Sequence, residues 1–517
     1  MFRLKCWGLF IILFVSCTPK ESSKKLTEPL KADLWIQGGT VVDGGGGPAI
    51  RADVFVSGDS ILFVGTASAD VIAKDILDAT GLIVTPGFID AHAHGDPFDT
   101  PGFTNFLSMG VTTLSLGQDG FSPDTEDLAN WMKSVDTLPL GPNIAMFVGH
   151  STLRKLSGVN FITDPSEADL EQMGKLLEEA LTAGAFGMTT GLEYTPGTYA
   201  NQHELDYLAR IVGTHEGLIM SHVRKEQDDT IEDDLAELFS QGRYANIHVS
   251  HMKVVFGKGV QRAEEILMLM TKQRNKNLRF TVTADVYPYL ASYTTIGILF
   301  PDWAKPPHDY EKIRNERREE LLSYVIELVL KRNGPVATLF GTEPYRGKTL
   351  AEVSEEMDLS FEQVLVDSIG PAGADAAYFT MDKELQERFL ADPYVMVSSD
   401  GSPAMYHPRG HGAFAKMIRK YVVEDSLLTL EEVVRKMTAL PAETIGLTDR
   451  GLVRKGYKAD LIIFNPLKVK DNATFGEPHQ LATGFETVIV NGNIAWQRPR
   501  GFIEAYGRML TRGENHE

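Results

Sequence analysis

The sequence predicts an α/β fold: a (β/α)8 barrel of the TIM type, plus a small β-sandwich built from both chain ends. Three observations carry that prediction. Eight short apolar segments recur with helical spacers between them: Ile83–Ile89, Thr112–Leu116, Ile144–Val148, Phe186–Thr190, Leu218–Ser221, Ile247–Ser250, Phe280–Val286 and Val395–Ser398. Repeated β-then-α units argue for a parallel sheet, and eight of them for a closed barrel. Both chain ends carry short β elements with no helix between them. Histidines and acids then gather just after the apolar segments, at the strand ends where barrels build their active sites.

Taken in order, the chain opens with Arg3 and Lys5 ahead of an apolar run from Trp7 to Val15. That run is too short to cross a bilayer and fits the core of a signal peptide over residues 1–16. Phe14-Val-Ser-Cys17 resembles a bacterial lipobox with Phe in place of the usual Leu. Cys17 is then the expected lipid anchor, and residues 17–30 a polar tether. An exported, membrane-anchored protein is the expectation. The chain has two cysteines, Cys6 and Cys17. The first leaves with the signal peptide and the second carries lipid, so the mature body holds no disulfide and no thiolate ligand, as suits an oxidising compartment.

Next, Ala32-Asp-Leu-Trp-Ile-Gln-Gly-Gly-Thr-Val-Val-Asp43 reads as two strands around Gly-Gly, followed by Asp53-Val-Phe-Val and Ile61-Leu-Phe-Val. At the far end, Ala459-Asp-Leu-Ile-Ile-Phe464 and the Asn-Gly hairpin of Thr487–Trp496 repeat the style. Residues 31–83 and 450–505 are therefore expected to share the β-sandwich, and 84–449 to form the barrel. Good helices fill the spacers. One runs from Asp169 to Ala183; another from Leu430 to Ala439, with Thr429 as N-cap and Glu432 three residues on. The gap between the seventh and eighth strands is too long for one crossover helix, so an inserted subdomain is expected at about 291–393.

At 517 residues the chain is long enough for two domains and a large core. Its formal charge of −20 disfavours nucleic acid and anionic membrane surfaces as partners.

The strand ends carry the chemistry. His92 and His94 lie two apart and project to one face of a strand. Paired imidazoles suit a divalent metal such as zinc. The second segment ends in Gln118-Asp119-Gly120, the third in His150, and the fourth runs into Glu193-Tyr194. The fifth and sixth end in His222 and in His251-Met-Lys253, the seventh in Asp285-Val-Tyr287-Pro-Tyr289, the eighth in Asp400. Five of the 13 histidines at four strand ends is a poor match to scattered surface residues.

In order and over almost the whole mature chain, these motifs resemble the amidohydrolase superfamily, and within it the D-aminoacylase (N-acyl-D-amino-acid deacylase) family. The matching stretches are Val84-Thr-Pro-Gly-Phe-Ile-Asp-Ala-His-Ala-His94, Gly149-His-Ser-Thr-Leu-Arg154, Gly191-Leu-Glu-Tyr-Thr-Pro-Gly197, Ser221-His-Val-Arg224, Val249-Ser-His-Met-Lys253, Asp285–Tyr289, and Ser399-Asp-Gly401 with His407-Pro-Arg409. The resemblance implies a zinc hydrolase that cleaves the amide of N-acyl-D-amino acids, small molecules with a free carboxylate. It implies one or two Zn2+ ions, with His222 and His251 on the main ion and His92 and His94 at the second position. It implies Asp400 as general base and acid. Arg409, Lys253 and Tyr287 or Tyr289 are the implied substrate contacts.

One position departs from the family. Where relatives carry Gly-Asn-Cys-Gly, this chain has Gly117-Gln-Asp-Gly120, so Asp119 stands in the place of a cysteine ligand. No lysine lies near Gly191-Leu-Glu193 to serve as a carboxylated ligand. Asp119 is the expected non-histidine ligand and Glu193 the runner-up. Tyr287, Tyr289 and His150 are the expected hydrogen-bond donors to a developing oxyanion. Arg409 suits an α-carboxylate through paired hydrogen bonds. Two alternatives stay open: a dipeptidase acting on dipeptides with a C-terminal D-residue, or a related amidohydrolase reaction; and a binding lipoprotein with a dead site.

Overall fold

The structure, a computed structural model, describes residues 30–66, 71–276 and 279–513. The expected signal peptide and the Cys17 anchor lie outside the described residues.

Eight strands run parallel around the barrel: Phe88–Asp90, Val111–Leu116, Asn143–Met146 continued by Val148–Gly149, Gly187–Gly191, Leu218–His222, Asn246–Val249, Val282–Val286 and Val395–Val397. Their side chains are almost entirely buried, which is why they read as continuous apolar runs rather than alternating ones. The barrel closes between its last and first strands. Asp400 N donates to His92 O at 2.8 Å, and His94 N to Gly401 O at 2.8 Å. The Asp90 carboxylate reinforces the seam by accepting from Ser399 N at 3.0 Å and His92 N at 3.2 Å. Burial pushes its pKa up to about 7.

The first segment divides at Gly87. Phe88–Asp90 belongs to the barrel, whereas Ile83–Pro86 pairs with Leu30–Val41 and Leu461–Phe464 in a different sheet. The division expected at residue 83 thus moves to Gly87. That sheet has nine strands, drawn from residues 30–86 and 461–502, joined by pairing into one continuous surface. Its strand Leu461–Phe464 shows why the sequence there is apolar throughout. Leu461 and Ile463 pack with Ile36, Val54 and Val56 on one face. Ile462 and Phe464 pack with the barrel core on the other. Phe88, from the barrel, meets Phe414, Phe464 and Phe485 with ring centroids 5.8, 6.5 and 6.1 Å away. The two parts therefore share one core.

The expected helices form close to their predicted bounds. Glu167–Thr182 starts at a capping box of Ser166 and Asp169. Leu430–Met437 starts at the Thr429–Glu432 capping box and stops at Thr438, whose backbone leaves helical geometry before a second helix, Ala439–Ile445.

The inserted subdomain is a three-stranded antiparallel sheet, Ser292–Thr295, Thr338–Phe340 and Asp375–Tyr378, covered by helices including Tyr310–Glu316, Arg318–Lys331 and Leu350–Met357. It has its own apolar core around Leu299, Phe300, Val325 and Leu365. It is shorter than expected. The helix Lys383–Ala391, inside the predicted 291–393 range, buries Leu385, Phe389 and Leu390 in the main core and serves as a barrel helix. A final short strand, Met509–Leu510, pairs in parallel with Asn143–Met146.

Candidate active site

The C-terminal rim of the barrel opens into a cavity of about 1010 Å³ that the inserted subdomain helps to wall. Its floor is a cluster of histidines and carboxylates. His222 comes from the end of the fifth strand and His251 from just past the sixth. Their rings face each other, Nδ1 to Nε2, at 2.9 Å. Asp119 Oδ1 stands 3.0 Å from His251 Nε2 and 3.6 Å from His222 Nδ1. The same oxygen is 3.3 Å from His92 Nε2, while Oδ2 is 3.5 Å from His94 Nε2. The Asp119 carboxylate therefore sits between two donor sets. One is Asp119 with His222 and His251; the other is His92, His94, Asp119 and Asp400. Glu193 Oε2 lies 3.1 Å from the outer nitrogen of His222, in a third grouping with Glu226.

Local backbone geometry aims these groups. The regular first strand stops at Asp90, so His92 and His94 sit on the irregular stretch that closes the barrel. Asp119, His251 and Asp400 have φ of 54°, 34° and 50°. Left-handed backbone at three site residues is the kind of conformation that surrounding structure must enforce. Gly191 lets the Asp119 turn approach: a Cβ there would lie 2.0 Å from the Asp119 carbonyl oxygen.

The residues fit a divalent cation. Both ring nitrogens of His92 are buried without a hydrogen-bond partner among the described residues. The opposed nitrogens of His222 and His251 converge with the Asp119 oxygen as an N,N,O donor set, which matches zinc. Glu226 completes the support. Its Oε1 is 3.2 Å from His251 Nδ1 and holds Lys253, whose Nζ is 2.9 Å from the same nitrogen, while the other ring nitrogen, Nε2, faces Asp119. Asp285 accepts from the His251 backbone at 3.0 Å and from His248 at 2.6 Å.

The charge balance follows from this crowding. Burial opposes a proton on His94, yet Asp119 and Asp400 outweigh it and lift its pKa to about 9. Burial likewise opposes charge on His222, but Glu226, Asp119 and Glu193 lift it to about 10. Both rings are thus protonated at neutral pH until a cation displaces the protons. Loading the metal-free protein with zinc at pH 7.5 is expected to release about two protons per chain and to grow tighter as pH rises. Calorimetry in buffers of different ionisation enthalpy measures the number. A buffer-independent heat would contradict the protonated cage.

Asp400 bridges this floor to the substrate wall. Its Oδ1 is 3.2 Å from His94 Nε2 and 3.8 Å from His92 Nε2, and its Oδ2 is 2.8 Å from Arg409 Nη1. Burial works against its charge, but Arg409 and the histidines hold its pKa well below the usual carboxylate range. Arg409 opens the helix Arg409–Lys416 and stacks over the Tyr287 ring at 4.7 Å. Lys253 is tied to Glu226 at 2.6 Å and lines the same cavity.

Three expected substrate contacts are placed elsewhere. His150 is fully buried, 2.6 Å from Glu204, with Arg154 on the same carboxylate; it does not line the cavity. Tyr289 turns away to Pro408 O at 3.5 Å and carries Lys416 on its ring at 3.9 Å. The chain leaves strand geometry after Val286, and Tyr289 N folds back on Tyr287 O at 2.9 Å. Tyr287 lies behind Arg409 as its packing surface. The tyrosines that do line the cavity are Tyr194 and Tyr293. Glu226 was missed because it sits on the loop after the fifth strand; its spacing four residues beyond His222 was the signal available.

The chain resembles known proteins. Residues 363–495 match the model of the amidohydrolase family. The chain is 33% identical over 515 residues to a D-aminoacylase of Alcaligenes xylosoxydans xylosoxydans, covering 93% of this chain and 98% of that protein. The chain belongs to the D-aminoacylase family of amidohydrolases. A second relative in the family, the N-acyl-D-aspartate deacylase of the same organism, is 32% identical over 514 residues, covering 94% and 96%. Among solved structures, the N-acyl-D-glutamate deacylase of Bordetella bronchiseptica superposes with a TM-score of 0.80 at 30% identity, covering 93% of this chain and all of that one. It holds zinc and a phosphonate inhibitor that mimics the tetrahedral intermediate of the reaction.

Proposed function

We propose that this member of the D-aminoacylase family hydrolyses the amide bond of N-acyl-D-amino acids, releasing a D-amino acid and a carboxylate, with zinc as cofactor. The observation that carries the reading is the position of Asp400. It stands between a metal-fitting histidine cluster and a guanidinium suited to an α-carboxylate.

His222, His251 and Asp119 would hold the main ion, and His92 and His94 would hold a second with Asp119 between them. When bound, the ion supplies Lewis acidity that polarises the amide carbonyl and eases ionisation of the attacking water. Asp400 stays ionised beside Arg409, takes the proton of that water and returns it to the leaving amine nitrogen. Arg409 orients the substrate by its α-carboxylate, which fixes which face of the amide meets Asp400. Lys253 is a tethered cation at the same wall. Glu226 neutralises it and orients His251, so one carboxylate serves both.

A screen of the zinc-loaded protein on paired N-acetyl-D- and N-acetyl-L-amino acids and on dipeptides tests the reading. Turnover confined to D-substrates is expected, and inactivity on all N-acyl-D-amino acids would overturn it. Arg409→Met is expected to raise KM for carboxylated substrates about 100-fold, as loss of a paired charged hydrogen bond implies. An unchanged KM would remove the clamp.

We also infer that the chain is an exported lipoprotein anchored through Cys17. Arg3, Lys5, the apolar run to Val15 and Phe14-Val-Ser-Cys17 support this. Labelled palmitate should enter the wild-type chain and not Cys17→Ser; equal labelling would overturn the anchor.

A further inference from the structure

Four side chains with permanent positive charge line the cavity: Lys253, Lys305, Arg332 and Arg409. Three have a carboxylate partner. Lys253 pairs with Glu226 at 2.6 Å, Lys305 with Asp302 at 2.8 Å and Arg409 with Asp400 at 2.8 Å. Arg332 differs. It ends the helix Arg318–Lys331 of the inserted subdomain and is only 6% exposed. Among the described residues no carboxylate oxygen lies within 4 Å of its guanidinium, and its buried Nε has no hydrogen-bond partner. The nearest compensation is the Tyr378 ring, 5.0 Å below the guanidinium.

A buried cation without a partner is costly to keep, because nothing replaces the water it has lost. Proteins hold such groups where a ligand supplies the missing charge. Guanidinium is the side chain best matched to a carboxylate, through two parallel hydrogen bonds. The α-carboxylate is already assigned to Arg409, beside Asp400 and the reacting amide. The electrostatic neighbours of Arg332 are instead Tyr378, Glu193 and Glu226, on the His222 side of the cluster rather than at Asp400.

We infer that Arg332 binds a second carboxylate of the substrate, so that the preferred substrates carry an acid group besides the α-carboxylate. The inference rests on the hydrolase reading above and names the substrate class within it. The second acid has two sources: the side chain of the D-residue, or a dicarboxylic acyl group.

Kinetics of the zinc-loaded full chain separate them. N-acetyl-D-glutamate against N-acetyl-D-glutamine tests the side chain; N-succinyl- against N-butyryl-D-glutamine tests the acyl group. In the wild type one diacid should exceed its neutral partner by about 100-fold in kcat/KM, the discrimination expected from a buried charged pair. Arg332→Met should collapse that ratio towards one, mainly through KM, and Arg332→Lys should restore part of it. Removal of an unpaired buried charge should leave Tm unchanged or raised, whereas a purely structural arginine would lower it. Neutral substrates turned over with no preference for either diacid would overturn the role of Arg332 and leave the hydrolase reading intact. Equal losses on diacid and neutral substrates in Arg332→Met would also overturn it. Absence of turnover on every N-acyl-D-amino acid would overturn both.

Discussion

Asp400→Asn keeps the fold of the protein and its main ion while kcat falls by about 1,000-fold or more. Asparagine has the same shape and tolerates the left-handed backbone that Asp400 adopts at φ 50°. It cannot accept a proton from water, and general acid–base groups contribute about 100- to 10,000-fold. The change also leaves Arg409 without its 2.8 Å partner. Breaking a buried pair costs about 3–5 kcal/mol, which would read as a lower Tm. Substrate then restores a carboxylate to the guanidinium, so KM stays level or drops. Metal content, Tm and the separate kinetic constants distinguish these effects. A kcat within tenfold of the wild type removes Asp400 from proton transfer.

Asp119→Ala is expected to lose metal binding at both donor sets, because its carboxylate faces both: Oδ1 towards His92, His222 and His251, and Oδ2 towards His94. Loss of even an outer partner of a metal ligand costs about 10- to 100-fold in affinity, so loss of a shared ligand should exceed 100-fold. The complementary variant is Asp119→Cys. A thiolate favours soft ions and a carboxylate harder ones. The wild type should therefore take up manganese or cobalt in competition with zinc more readily than Asp119→Cys, which should shift towards zinc and cadmium. Elemental analysis after competitive loading gives the ratio. Identical metal preferences in the two proteins would show that Asp119 is not a ligand.

The barrel was legible because each strand is buried on both faces and reads as an apolar run. The cluster of histidines and carboxylates was legible because strand ends converge on one rim. His92, His94, Asp119, Glu193, His222, His251, Lys253, Asp400 and Arg409 all reach that rim or the floor beneath it. The differences in placement arise where regular geometry stops. The resemblance implied Tyr287 or Tyr289 as a substrate contact, but the chain turns after Val286. His150 begins a helix and spends its ring on Glu204, a contact 54 residues away that no local pattern encodes. Arg332 was invisible for the same reason, since it comes from the inserted subdomain, and Glu226 was signalled only by its spacing four residues beyond His222.

The pairing of Ile83–Pro86 with Leu461–Phe464 has a consequence for biosynthesis. The strand Ile83–Pro86 waits for a partner made hundreds of residues later. Until then Leu34, Ile36, Val54 and Val56 have no Leu461, Ile463 or Ile489 to pack against. Contacts this distant in sequence form slowly and only after loop closure over the whole barrel. The nascent chain therefore cannot complete this sheet before Leu461–Phe464 has been made, and a product truncated ahead of that strand would expose an apolar sheet edge that invites aggregation.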